Sequence, residues 1–190
     1  RAAAAQGSPE TRQAFFGDLH LHTSNSFDAY VLMGTKTTPD QAYQFGRGDT
    51  IDYLGEQVRR STPLDFMAVT DHADFMGTLN KLDDPSSWFA NSTTGKKILK
   101  NPSYAMSLKS KADSNPKKLP SGMDHPERQL GDAWAATIQA AQSNYEPGRF
   151  TTFIAYEWTS MPEQRNLHRN VIFNSYFAPL PFTSLDSEKP

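Results

Sequence analysis

The chain contains no cysteine. That excludes a disulfide framework and any zinc or iron–sulfur site built on thiolates, and it leaves the compartment undecided. Net charge is also small, −2 over 190 residues, so no general basic character argues for nucleic acid or for an anionic membrane surface. No apolar run approaches the roughly 20 residues of a membrane-spanning helix, so neither membrane nor nucleic acid is expected as a partner. The sequence does have 37% hydrophobic and 12% aromatic residues, with 13 prolines and 11 glycines. This is the composition of a globular, loop-rich protein long enough for one ordinary domain. The segment from Arg1 to Pro9 has no hydrophobic core and is not an intact signal peptide. A remnant of cleavage after small residues and a frayed terminus both fit it. Location therefore stays open, with a periplasmic or secreted site preferred to a cytoplasmic one. A flexible terminus over 1–13 and one domain over 14–190 are expected.

The pattern along the chain is that of an α/β protein. Ala14 to His22 alternates loosely and reads as a buried strand. Thr38, Pro39 and Gln41 predict a helix start, with Thr38 as N-cap, proline in the first turn and a capping-box glutamine; Gly46 and Gly48 should end that helix. Gly55 to Arg60 reads as a short helix or loop. Leu64 to Thr70, preceded by Pro63, predicts a buried strand of the parallel type. Residues 74–126 show no sustained period and carry a lysine-rich patch including Lys96, Lys97, Lys100, Lys109, Lys111, Lys117 and Lys118. A long insertion of short helices and loops is expected there, serving as a lid or a docking surface. Leu130, Trp134, Ile138 and Ala141 recur at helical intervals within Glu127 to Tyr145, an amphipathic helix stopped by Pro147-Gly148. Phe150 to Thr159 and His168 to Phe173 then read as strands, followed by an extended tail.

Four of the five histidines fall in three short motifs. These are Gly17-Asp18-Leu19-His20-Leu21-His22-Thr23-Ser24, Val69-Thr70-Asp71-His72, and Ile154-Ala155-Tyr156-Glu157-Trp158-Thr159 followed by His168. On a strand, residues two apart share a face, so His20 and His22 can aim at one point. Each motif lies at the carboxyl end of an expected strand, the edge where α/β folds build their sites. His20, His22, His72 and Glu157 are thus expected at one rim, with Asp28, Asp71 and His168 within reach. Imidazoles and carboxylates without sulfur suit zinc, manganese or iron. Six candidate ligands exceed what one four-coordinate zinc uses, which implies two or more ions. Asp71 either orients an imidazole or touches the ion. Arg169 is a candidate for holding an anionic substrate, although strand alternation points it away from His168. His125, in a loop, is read as an ordinary surface residue, Asp18 as structural, and Thr23 and Ser24 as turn and supporting groups rather than nucleophiles.

These motifs resemble the PHP (polymerase and histidinol phosphatase) superfamily in the His-x-His opening, the Thr-Asp-His second motif and the later Glu and His. The stretch from Gly17 to Tyr30, with Pro63 to His72, Tyr156 to Thr159 and Leu167 to Phe173, is similar to an uncharacterised PHP-related family of bacterial proteins. The resemblance implies a distorted (β/α)7 barrel with up to three divalent ions at its carboxyl rim. His20, His22, Asp28, His72, Glu157 and His168 would be the metal ligands, Glu157 the carboxylate that bridges ions. It implies a metal-dependent hydrolase, most concretely a phosphoesterase acting on a phosphorylated small molecule through metal-activated water, with Glu157 and Arg169 nearest the chemistry. Hydrolysis of amides or other esters, or a non-catalytic metal-stabilised binding domain, are the alternatives. The family pattern continues with another His and a terminal Asp-x-His pair, and this chain has no histidine after His168. The expectation is therefore an N-terminal portion of a longer protein, or one half whose complement lies on another chain.

Overall fold

In the computed structural model of the chain, the described residues are 12–105, 107–108, 126–160, 165 and 167–183. They form a mixed α/β fold on a curled, half-barrel sheet. Among them the strands are β1 (Gly17–Asp18), β2 (Ile51–Tyr53), β3 (Glu56–Val58), β4 (Phe66–Ala68), β5 (Thr151–Ser160) and β6 (Leu167–Phe173). The helices are α1 (Phe27–Met33), α2 (Pro39–Arg47), α3 (Trp88–Asn91), α4 (Thr93–Lys100) and α5 (Pro126–Ser143), with a 3-10 turn over Leu79–Asp83. Strands β1, β4, β5 and β6 lie side by side in that order. The first three are parallel, and β6 runs antiparallel to β5.

Helix α2 starts as its sequence predicts. The Thr38 hydroxyl accepts the Gln41 N–H, and the Gln41 side chain returns to the Thr38 N–H, completing the capping box. Its end differs from expectation. Gly48, at φ 94°, is the left-handed C-cap, whereas Gly46 lies inside the helix. A Cβ at Gly46 would stand 2.4 Å from the Met67 sulfur, so this glycine serves close packing of α2 on β4. Three residues earlier, Tyr43 is fully buried and its hydroxyl donates to the Phe153 carbonyl at 2.8 Å while accepting the Val69 N–H at 3.0 Å. Val69 directly follows β4 and Phe153 lies on the adjacent parallel β5, so the phenol bridges the two segments where the ladder would continue.

Two other expectations are corrected. The segment from Gly55 to Arg60 is neither helix nor plain loop: β2 and β3 form an antiparallel hairpin, with Tyr53 opposite Glu56. Its two-residue turn is Leu54-Gly55, with φ of 56° and 87°. Both values lie in the region the mirror-image hairpin turns need, and leucine is an unusual occupant of it. The first strand is also much shorter than Ala14 to His22, since only Gly17 and Asp18 pair regularly with β4. Beyond them the chain stays beside the β4 line by isolated hydrogen bonds.

The helix face of the sheet carries the main core. Met67, Ile154 and Tyr156 from the strands pack with Tyr43, Val69, Leu130, Trp134, Ala140, Ala141 and Phe150. Trp134 of α5 meets Tyr156 edge-on at 5.8 Å. Full burial of each large apolar side chain contributes about 1.5–3 kcal/mol, which fixes α5 and α2 against one side and leaves the strand ends free to carry chemistry. The described part of the insertion has a core of its own, in which Phe75, Leu79, Phe89 and Ile98 pack with Phe27 of α1. It is therefore anchored beside the first motif. Lys96, Lys97 and Lys100 are exposed on it, and the remaining lysines of the patch lie outside the described residues.

Candidate metal centre

Each parallel strand hands its polar groups to the same edge. After β1 the Leu21 carbonyl accepts the Thr70 N–H at 2.8 Å, and the Thr70 hydroxyl accepts the Leu21 N–H at 3.0 Å. This keeps His20 and His22 level with the end of β4 although they are not in a regular strand. His72 makes an isolated parallel bridge with Glu157, where the Glu157 N–H bonds the Asp71 carbonyl at 3.0 Å and the Ala73 N–H bonds the Glu157 carbonyl at 2.9 Å. His168 arrives differently. It lies at the beginning of β6, opposite Thr159, so the antiparallel strand starts at the rim where the parallel ones finish.

Glu157 is the hub. It is 2% exposed and an ionised carboxylate so buried is costly unless partnered. Its oxygens face His22 Nε2 at 2.7 Å, His168 Nδ1 at 2.7 Å, His20 Nε2 at 3.2 Å and His72 Nδ1 at 3.6 Å. Asp28, in the first turn of α1, faces His22 Nδ1 at 3.1 Å and His72 Nε2 at 3.6 Å. Three overlapping sets result: His20, His22 and Glu157; His22, Asp28 and His72; His72, Glu157 and His168, with donor atoms in each set within 4.8 Å of one another. Two ligands on a tetrahedral zinc with bonds of about 2.0–2.1 Å stand about 3.3 Å apart, within the span of these separations. The donor set therefore fits a divalent ion, and these His and carboxylate groups can hold one. Side-chain exposure runs from 2% at Glu157 and 11% at His72 to 40% at His168 and 60% at His20, so the cluster is closed beneath and open above.

A buried polar layer supports it. Asp71, fully buried, accepts the Thr23 N–H at 2.5 Å and the Thr23 hydroxyl at 2.6 Å. It thus orients the backbone that follows His22 and makes no hydrogen bond to an imidazole. Burial pushes the Asp71 carboxyl up to about 6, against the pull of its Thr23 bonds. Burial also disfavours a charged His22, but the hydrogen bond and charge of Asp28, with Glu157 and Asp71, outweigh it and raise the ring above its ordinary value. For Asp28, burial is likewise outweighed, by His22 and His72, and its carboxyl is held well below the usual range. The fully buried Ser26 hydroxyl accepts the His72 N–H at 3.0 Å and lies 3.2 Å from His22 Nδ1. Asp18 accepts the His20 N–H at 3.0 Å, in keeping with a structural role. Asn170, across from Glu157, donates to the Leu19 carbonyl at 3.0 Å and ties β6 to the first motif.

All six metal candidates of the sequence, His20, His22, Asp28, His72, Glu157 and His168, come together. Arg169 does not join them. It pairs with Trp158 on the opposite face of the strands, and its guanidinium donates to the His168 carbonyl. His125 lies outside the described residues. Ser26, Asn170 and Thr159 escape sequence reasoning as site groups; for Thr159 the signal is its position two residues beyond Glu157, on the same strand face.

Fold and donors together define an α/β protein whose strand edge carries a histidine–carboxylate cluster able to hold a metal ion. The chain belongs to the family described as Protein of unknown function (DUF3604), whose model matches residues 9–190. No curated protein and no solved structure matches it.

Proposed function

We propose that this chain carries the metal-binding rim of a PHP-type hydrolase, built on a distorted (β/α)7 barrel and acting on phosphoesters of small molecules. The observation that carries the reading is the sharing of buried Glu157 between two of the three donor sets beneath an open, solvent-facing side. Structural metal sites are closed, whereas catalytic ones keep a position for water or substrate. Two or three ions of zinc, manganese or iron suit the mixed nitrogen and oxygen donors. Bound there, such ions would supply water of lowered pKa, toward about 7, and neutralise charge on a phosphoryl group. The chain's own part is positional. Glu157 and Asp28 furnish negative charge from below and from the side, His22 and His72 line the interior, and exposed His20 and His168 border the entrance. Thr23, Ser26 and Asp71 keep those ligands in place.

The test is elemental analysis of protein purified without added metal, beside the His20→Ala/His22→Ala double variant. A screen of phosphomonoesters, phosphodiesters and amides with zinc or manganese accompanies it. Bound metal that disappears in the variant, with turnover of a phosphoester by the wild type, is expected. Equal metal in both proteins removes the site, and hydrolysis of amides alone removes the phosphoesterase.

A further inference from the structure

Thr159 is 3% exposed, and its hydroxyl lies between two imidazoles. The oxygen is 2.8 Å from His72 Nδ1 and 3.0 Å from His168 Nδ1. A hydroxyl has one hydrogen to give, and a neutral imidazole has one nitrogen bearing hydrogen and one bearing a lone pair. Thr159 can therefore donate to only one of the rings. To bond both, it must accept an N–H from the other. If both Nδ1 atoms carried hydrogen, the hydroxyl's own hydrogen would be buried without an acceptor among the described residues, a costly state. We propose that Thr159 is a positioning residue that holds neutral His72 and His168 in opposite tautomers, and so decides which ring nitrogen each can offer to a metal ion.

Glu157 sets the direction. Its Oε1 is 2.7 Å from His168 Nδ1, and a carboxylate only accepts, so the hydrogen of His168 sits on Nδ1, shared between Glu157 Oε1 and the Thr159 oxygen. The Thr159 hydroxyl then donates to His72 Nδ1, and His72 bears its hydrogen on Nε2, facing Asp28 Oδ2 at 3.6 Å. For His72 to serve the set containing Asp28 it must present Nε2 as a lone pair. Its hydrogen then belongs on Nδ1, the Thr159 hydroxyl turns to His168 Nδ1, and His168 carries its hydrogen on Nε2. Each ring exchanges one hydrogen between its nitrogens through solvent, with no net gain or loss. Glu157 Oε1 is released in the process. One O–H thus links the readiness of the Asp28 set to that of the set of His72, Glu157 and His168.

The consequence for ion loading rests on the function proposed above, but the central claim concerns the metal-free protein and is tested there. Long-range proton–nitrogen spectra of the ¹⁵N-labelled full chain, recorded at mildly alkaline pH, identify the tautomer of each ring. The expected result is Nδ1–H for His168 and Nε2–H for His72. Thr159→Ser should preserve both, and Thr159→Val should leave mixed populations of His72 in a folded protein while Glu157 still holds the hydrogen of His168 on Nδ1. On titration with zinc, both rings of the wild type should exchange tautomers over the same range of added ion. Zinc affinity in Thr159→Val should fall by about ten- to a hundredfold. The same tautomer in both wild-type rings, or an unchanged His72 population in Thr159→Val, would overturn the proposal. The wild-type spectrum decides even if Thr159→Val fails to fold. Opposite tautomers in a protein that takes up no zinc would uphold this assignment while removing the proposed function.

Discussion

Replacing Glu157 by glutamine should cost the cluster more than replacing Asp28 by asparagine, and the comparison makes the reasoning quantitative. Glu157 belongs to two of the three donor sets and Asp28 to one. Glutamine keeps the size and one carbonyl oxygen but removes the charge that faces four imidazoles at 2.7–3.6 Å. Binding free energies of about 10–16 kcal/mol for four-ligand zinc sites put one ligand at about 3 kcal/mol, or about a hundredfold in affinity. Glu157→Gln should therefore weaken both of its sets by about that factor and spare only the set of His22, Asp28 and His72. Asp28→Asn should do the reverse. The assay is calorimetric titration of chelator-treated protein with zinc, read as both stoichiometry and affinity and checked by elemental analysis after gel filtration. A Glu157→Gln protein that binds as many ions as tightly as the wild type would refute the assignment of Glu157 as hub. So would an Asp28→Asn protein that loses more ions than Glu157→Gln.

Other outcomes follow from the same geometry. Asp71→Ala removes two short bonds to buried Thr23 and strands both donors, so urea denaturation of the metal-free protein should show a loss of about 3–5 kcal/mol. The His22–Asp28 pair gives a pH signature with a definite sign. Because the folded His22 pKa is raised above 6.5, the pair stabilises the metal-free chain fully below pH 6.5, and that contribution fades as pH rises through the raised value. Urea midpoints of wild type minus Asp28→Asn should follow this course, while zinc affinity, which requires the unprotonated ring, should run the opposite way. A difference independent of pH would exclude the coupling. Trp134→Ala should cost about 3–5 kcal/mol in thermal or urea unfolding. Trp134→Phe should cost far less, since the indole N–H it removes is buried without a partner among the described residues.

Much of the site was legible because its information is local. The capping box needs only Thr38, Pro39 and Gln41, and it forms. The apolar run that contains β4 leads into His72, the long run that becomes β5 carries Glu157, and the six candidate ligands converge. The route taken by the first two was not legible. Strand alternation was the reason for pairing His20 with His22, yet regular pairing stops at Asp18, and nonlocal bonds from Thr70 and Asp71 hold that segment instead. The β2–β3 hairpin was hidden because its turn has leucine in a left-handed conformation, where asparagine or glycine gives the usual signal. Supporting groups such as Ser26 and Thr159 are common residue types that acquire a role only when separate segments meet. Arg169 shows the converse, since one step along a strand turns a side chain to the other face and no motif can override that parity.

The phenol of Tyr43, set between Val69 and Phe153, makes α2 a member of the sheet and not merely a helix resting on it. Where two strands would bond directly, they bond through a side chain rooted in another element. The strands can stand apart at that level without leaving an amide or a carbonyl unmet, and they rejoin at His72 and Glu157. The neighbours of Val69 along the chain are Thr70, Asp71 and His72. A helix that contributes no ligand is thereby bonded to the segment that carries one.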